Sequence, residues 1–213
     1  MRNLDISLLI TAICILTAVL FSGCIQKTSL SQKILIERGK DDGSVYVLAN
    51  QYPDNLFGFA NDASDGVFVG VVVSGGRDTI ISRALYRFNI SQWRGEDVIF
   101  HGHCTYKRGD PGKIEIYVID DFGDLSKLEG TNPMDVSGIW NLVDMGTKIA
   151  EIEPTQGKWF EVKLPKDKIK GNYLSLMLKL QNEEKEGYNA YALATYEYAK
   201  GRNEDVPYLT LKK

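Results

Sequence analysis

Period-two alternation of apolar and polar side chains recurs along most of this chain, and it narrows the available folds more than any other feature. Residues 173–180 (YLSLMLKL) put Leu174, Leu176, Leu178 and Leu180 on one side, because successive side chains of an extended strand point to opposite faces. Residues 85–90 alternate likewise, with Tyr86, Phe88 and Ile90 on one face and Leu85, Arg87 and Asn89 on the other. In residues 98–106, Val98, Phe100, Gly102, Cys104 and Tyr106 share a face, which turns His101, His103 and Thr105 the other way. Further strand-like runs cover 34–36, 45–48, 67–73 (VFVGVVV), 114–119, 159–164, 189–198 and 207–211. Residues 52–66 read as a loop, and 120–153 as the least regular part, with a short helix near 135–144. Short strands at regular spacing, without a sustained helical period, predict an all-β fold: an antiparallel β-sandwich or jelly roll.

The N-terminus reads differently. Residues 6–21 carry no charge, Arg2 precedes them, and Ser22 and Gly23 stand directly before Cys24. This pattern resembles the prokaryotic lipobox, with Phe21 where Leu is usual. It predicts a signal helix over residues 1–23, cleavage before Cys24, and a diacylglyceryl and acyl (palmitate-type) anchor there. An uncleaved membrane helix is the alternative. Residues 24–33 then form a tether and 34–213 the β-sandwich domain, held at the extracytoplasmic face of the cell membrane. The 213-residue chain has a formal charge of −3 and no run of five like charges, which argues against a nucleic-acid partner. Cys14 lies in the signal and Cys24 in the lipobox, so Cys104 has no partner and reads as a small buried hydrophobe. Stability must then come from core burial.

Several stretches, taken in order, resemble the disaggregatase-related, carbohydrate-binding-module-like domains of the DNRLRE type. Residues 82–91 (SRALYRFNIS) are similar to that family's R-x-L-x-R-F-D-L-S strand, and 98–106 with 112–119 to its next hairpin. Ile139-Trp140-Asn141 sits where Thr-Trp-Asn is common, and 157–162 (GKWFEV) resembles G-x-W-x-x-x-D-V. Residues 194–197 and 207–211 resemble the closing pair of strands. Asn89, Ile139 and Thr195-Tyr196 depart from the family pattern. The resemblance implies a β-sandwich of prokaryotic surface proteins, in some cases binding polysaccharide.

Stacking on a pyranose needs exposed aromatic rings, with polar groups beside them for the hydroxyls. The expected glycan-binding residues are Trp140, Tyr188, Tyr191 and Tyr196, with Trp93 and Tyr198 as further aromatics and Trp159 assigned to the core. Asp62, Asp65, Asp120 and Asp124, with Asp121, are the loop carboxylates that suit calcium, against the plainer reading of solvated turn residues. His101 and His103, two apart on a strand, offer at most two ligands to a metal. No nucleophile elbow, P-loop or dinucleotide fingerprint is present. The sequence therefore predicts a non-catalytic, carbohydrate-binding or structural surface lipoprotein. The alternatives are a polysaccharide-acting enzyme of the same fold and a protein-interaction domain of the envelope.

Overall fold

The computed structural model describes residues 31–37, 39–48, 56–60, 66–74, 78–128, 133–184, 186–202 and 206–212. Cys24 and the signal segment, Asp62 and Asp65 lie outside them. Among the described residues no helix is long and apolar enough to cross a membrane.

The chain runs β1 (Gln32–Leu35), β2 (Asp42–Leu48), β3 (Leu56–Ala60), β4 (Val67–Ser74), β5 (Asp78–Asn89), β6 (Asp97–Arg108), β7 (Ile114–Ile119), α1 (Pro133–Met145), β8 (Thr147–Ile152), β9 (Lys158–Leu164), β10 (Tyr173–Leu180), β11 (Asn189–Leu193), α2 (Tyr196–Arg202) and β12 (Tyr208–Lys212). Single 3₁₀ turns occupy Leu125–Lys127 and Lys166–Lys168. The expected all-β antiparallel fold is what forms.

Two long strands make the sandwich. β6 carries β9 on one side and β12 on the other along its first half, and β11 along its second. β5 carries β2 on one edge, and on the other β4 at its start and β10 at its end. The front layer is therefore β1-β12-β6-β9 and the back layer β3-β2-β5-β10-β7-β8. β4 and β11 join them at a corner. Gly70 makes this corner possible: it pairs with Ala190 on one side and Ser82 on the other. Its φ is 130°, and a Cβ there would lie 2.4 Å from the Asn189 carbonyl oxygen.

Between the layers, Phe100 of β6 meets Tyr86 and Phe88 of β5 at ring-centroid distances of 5.4 and 5.9 Å, and Phe160 of β9 at 5.9 Å. Leu174, Leu176, Leu178 and Leu180 fill the same core, as their alternation predicts. The Tyr86 hydroxyl donates to the Ala194 carbonyl at 2.8 Å, which satisfies the one polar atom that ring brings inside. Cys104 is buried, and burial pushes its thiol up to about 11. It is an unreactive core residue at neutral pH.

The outer face of the back layer is also covered. Val136, Ile139 and Val143 of α1, at helical spacing, pack on Val45, Leu85, Ile119 and Met177. This explains why Leu85, predicted on the more polar face of its strand, is fully buried. The helix matches the expected position to within two residues at its start and one at its end.

Four expectations need correction. Residues 52–66 contain β3, and 147–152, within the irregular region, form β8. Residues 189–198 divide into β11 and the start of α2, so Tyr196 and Tyr198 are helical. Gln32 and Lys33, assigned to the tether, pair with Leu211 and Thr210 in the front layer.

Replacing Phe100 by Ala removes the ring that both layers share and should cost about 3–5 kcal/mol. The exposed Met145→Gln should stay within about 0.5 kcal/mol of the parent. Urea unfolding of the two variants beside the parent measures both.

Candidate functional site: the aromatic face of the front sheet

The register that sends Phe100 and Cys104 inward sends His101 and His103 outward, and the neighbouring strands continue the pattern. Tyr208 of β12 and Glu161 of β9 lie opposite His101, and Trp159 of β9 lies opposite His103. In β9, Val162 and Leu164 face the core, so Trp159, Glu161 and Lys163 face solvent. Trp159 is 40% exposed, which corrects its assignment to the core.

Five rings follow one another across this face. His101 stacks on Tyr208 at 4.3 Å with 13° between planes, and Tyr208 lies 5.7 Å from Trp159. Trp159 stacks on His103 at 5.1 Å and 10°, and Tyr198 of α2 meets His103 edge-on at 6.5 Å. Cations sit on two of the rings: Lys33 Nζ is 4.1 Å from the Tyr208 centroid, and the Arg202 guanidinium 4.0 Å from that of Tyr198. Leu35, opposite Tyr208 on β1, is 53% exposed and extends the apolar area.

A polar line runs through the rings. The Thr210 hydroxyl is 2.8 Å from His101 Nε2, and Glu161 Oε1 is 3.3 Å from Nδ1. Nε2 shares a hydrogen bond with the Thr210 hydroxyl, whose direction the tautomer sets, and the Glu161 carboxylate lies near Nδ1. The order hydroxyl, imidazole, carboxylate resembles a nucleophile and its base, but the exposure is inverted: Thr210 and His101 are buried while Glu161 is open. This line holds the His101 ring upright beneath Tyr208.

The four aromatics expected to form a platform are dispersed, and among the described residues no ring contact joins any two of them. Tyr191 is fully buried, with its hydroxyl donating to the Gly112 carbonyl at 2.7 Å, and offers no face to a ligand. Trp140 lies on α1 behind the back layer. The Arg83 guanidinium stacks on its ring at 3.6 Å, donates to its carbonyl, and forks onto Glu183 at 2.9 and 2.7 Å. Tyr188 is half-buried with Arg108 at 4.3 Å from its ring, and Tyr196 is half-buried at the head of α2, its amide donating to Asp42. Trp93, against the core, donates its indole N–H to the Glu96 carbonyl.

The acidic loop is equally occupied. Asp124 accepts from the Ser126 amide and hydroxyl and caps a 3₁₀ turn. Asp121 is forked by Arg87 at 2.6 and 3.0 Å, and Asp120 is exposed beside it. Among the described residues no group of three His, Cys, Asp or Glu side chains is placed to hold a metal.

Burial is the largest influence on His101 and pushes its imidazole below the ordinary 6.5; Glu161 opposes this, while Lys212 and Lys33 add to it. Above about pH 6.5 neither folded nor unfolded chain is protonated there. Below it the unfolded chain takes up a proton that the folded chain resists, so stability falls as the pH drops. Denaturant unfolding at about pH 7.5 and about pH 5 should show this decline, and His101→Gln should remove part of it. Compared with known proteins, the chain matches no family model, and no curated protein matches it.

Proposed function

We propose that this protein is a lipid-anchored, outward-facing, non-catalytic β-sandwich that binds polysaccharide on the aromatic face of its front sheet. One observation carries the reading: a contiguous run of rings, Tyr208, Trp159, His103 and Tyr198, lies on an open sheet face, flanked by charged side chains. The C–H face of a pyranose is apolar and stacks on such rings, while its hydroxyls find the Glu161 carboxylate on the same face. A flat, extended face suits a polymer, which lies across several rings at once. Exposed apolar area of this kind marks an interaction surface.

Hydrolysis of the bound chain would need two carboxylates about 5–9.5 Å apart across the scissile bond. On this face Glu161 lies opposite His101, while Asp97, further along β6, is engaged by Lys163 and Lys166 at 2.7 and 2.9 Å. This favours binding without cleavage. Resemblance to the disaggregatase-related domains supports the same reading, and the lipobox-like Leu20–Cys24 stretch supports the anchor.

On a polysaccharide and glycan array, residues 25–213 should bind at least one polymer, and Trp159→Ala should weaken that binding about tenfold or more. Trp140→Ala should leave affinity unchanged, because its ring serves α1. Binding that survives Trp159→Ala, or no binding at all, contradicts the proposal. In a prokaryotic host, labelled palmitate should enter the full chain and be lost in Cys24→Ser; label retained by that variant contradicts the anchor.

A further inference from the structure

A recess of about 530 Å³ opens on the opposite layer, where the end of β7, the start of β8 and the start of β10 meet. It lies within the range of small-molecule sites. Its lining includes Asp120, Lys168, Lys170, Asn172, Tyr173 and Ser175, and none of these belongs to the front face.

Tyr173 is the organising residue. Its ring lines the recess, is 37% exposed, and has the Arg87 guanidinium on it at 3.5 Å. Arg87 is itself immobilised. It forks onto Asp121 at 2.6 and 3.0 Å and reaches Asp41 at 3.5 Å. Asp121 is held in turn by the Gly123 amide at 3.0 Å and the Ser175 hydroxyl at 3.3 Å. The carboxyl of Asp121 stays below its ordinary value, with the Arg87 hydrogen bond the leading cause. An aromatic ring with a fixed guanidinium behind it is a rigid stacking surface, ordered before any ligand arrives.

The polar groups around that ring are mixed in kind. Asp121 is neutralised by Arg87, and Lys168 is engaged with Asp167 at 3.3 Å. Asp120 and Lys170 make no ion pair among the described residues, and Asn172 adds an amide. A carboxylate that accepts, an ammonium that donates and an amide that does both, set around one ring, match a polyhydroxylated ring better than a purely ionic or purely apolar ligand.

The geometry points to a second binding site, a recess that takes a single pyranose residue stacked on Tyr173, with its hydroxyls held by Asp120, Lys170 and Asn172. A recess accommodates one sugar residue or a chain end, whereas the front face lies open to a polymer. The site stands whether or not the front face binds glycan.

The test uses residues 25–213 and the methyl glycosides of glucose, galactose, mannose and N-acetylglucosamine, titrated to about 50 mM while backbone amide resonances are followed. At least one glycoside should shift the amides of residues 170–175. Tyr173→Ala should weaken that binding about tenfold or more, while Tyr173→Phe, which keeps the ring, and Trp159→Ala should leave it unchanged. Three results would overturn the inference: no glycoside moves those amides, Tyr173→Ala binds as the parent does, or Trp159→Ala abolishes the effect. The last result would put the sugar on the front face instead. Failure here with array binding intact leaves the front-face proposal standing.

Discussion

Phe100, wedged between Tyr86, Phe88 and Phe160, is the contact on which the rest of the molecule depends. It fixes which side of β6 faces inward. Side-chain period in a strand is two, so a slip of one residue would exchange every inward and outward side chain. With Phe100 committed to the core, His101 and His103 must face out, and the antiparallel register sets Tyr208 and Trp159 beside them. Core and ring face are two consequences of one parity.

The two layers differ in what covers their outer sides. The back layer carries α1, whose Val136, Ile139 and Val143 complete a second apolar cluster. Beside it, Glu115 is buried; burial alone would raise its carboxyl, but hydrogen bonds from Tyr117 and Lys148 and the charge of Lys179 outweigh this and hold it low. Arg83 ties Trp140 to Glu183 across the same face. These side chains are occupied in holding the helix and sheet together. Among the described residues no helix covers Trp159 or Leu35 of the front layer, which remain exposed, and α2 reaches this face only through Tyr198 against His103. That asymmetry, more than the number of aromatics, singles out the front face.

Much of the framework was legible in local pattern. Residues 173–180 formed a strand with those bounds, its four leucines inward, because an alternating leucine face has one stable place to go. The short helix expected near 135–144 forms as α1, and the structure shows its Val136, Ile139 and Val143 on the apolar cluster. The site was harder to read, because it is assembled from three strands and a helix distant in sequence. Trp159 was misread as core: it stands second in its strand, and only the inward set of Val162 and Leu164 reveals its parity. Tyr191 looked like a platform residue, yet its ring lies inside because β11 is clasped between β4 and β6. Tyr196 and Tyr198 continued an alternating pattern but fall past Leu193, where β11 ends, and lie in α2, which begins at Tyr196. Register between distant strands decided these outcomes, and no single stretch of sequence contains it.

The three tryptophans report on three separate places: Trp93 against the core with its N–H on Glu96, Trp140 under Arg83, and Trp159 on the ring face. The most direct test of the account follows their indole N–H resonances while an oligosaccharide of the array's best polymer is added to residues 25–213. The account predicts that the Trp159 signal moves and saturates while those of Trp93 and Trp140 stay in place. Movement of Trp140 with Trp159 unchanged, or binding that leaves all three still, would contradict a polysaccharide site on the front sheet.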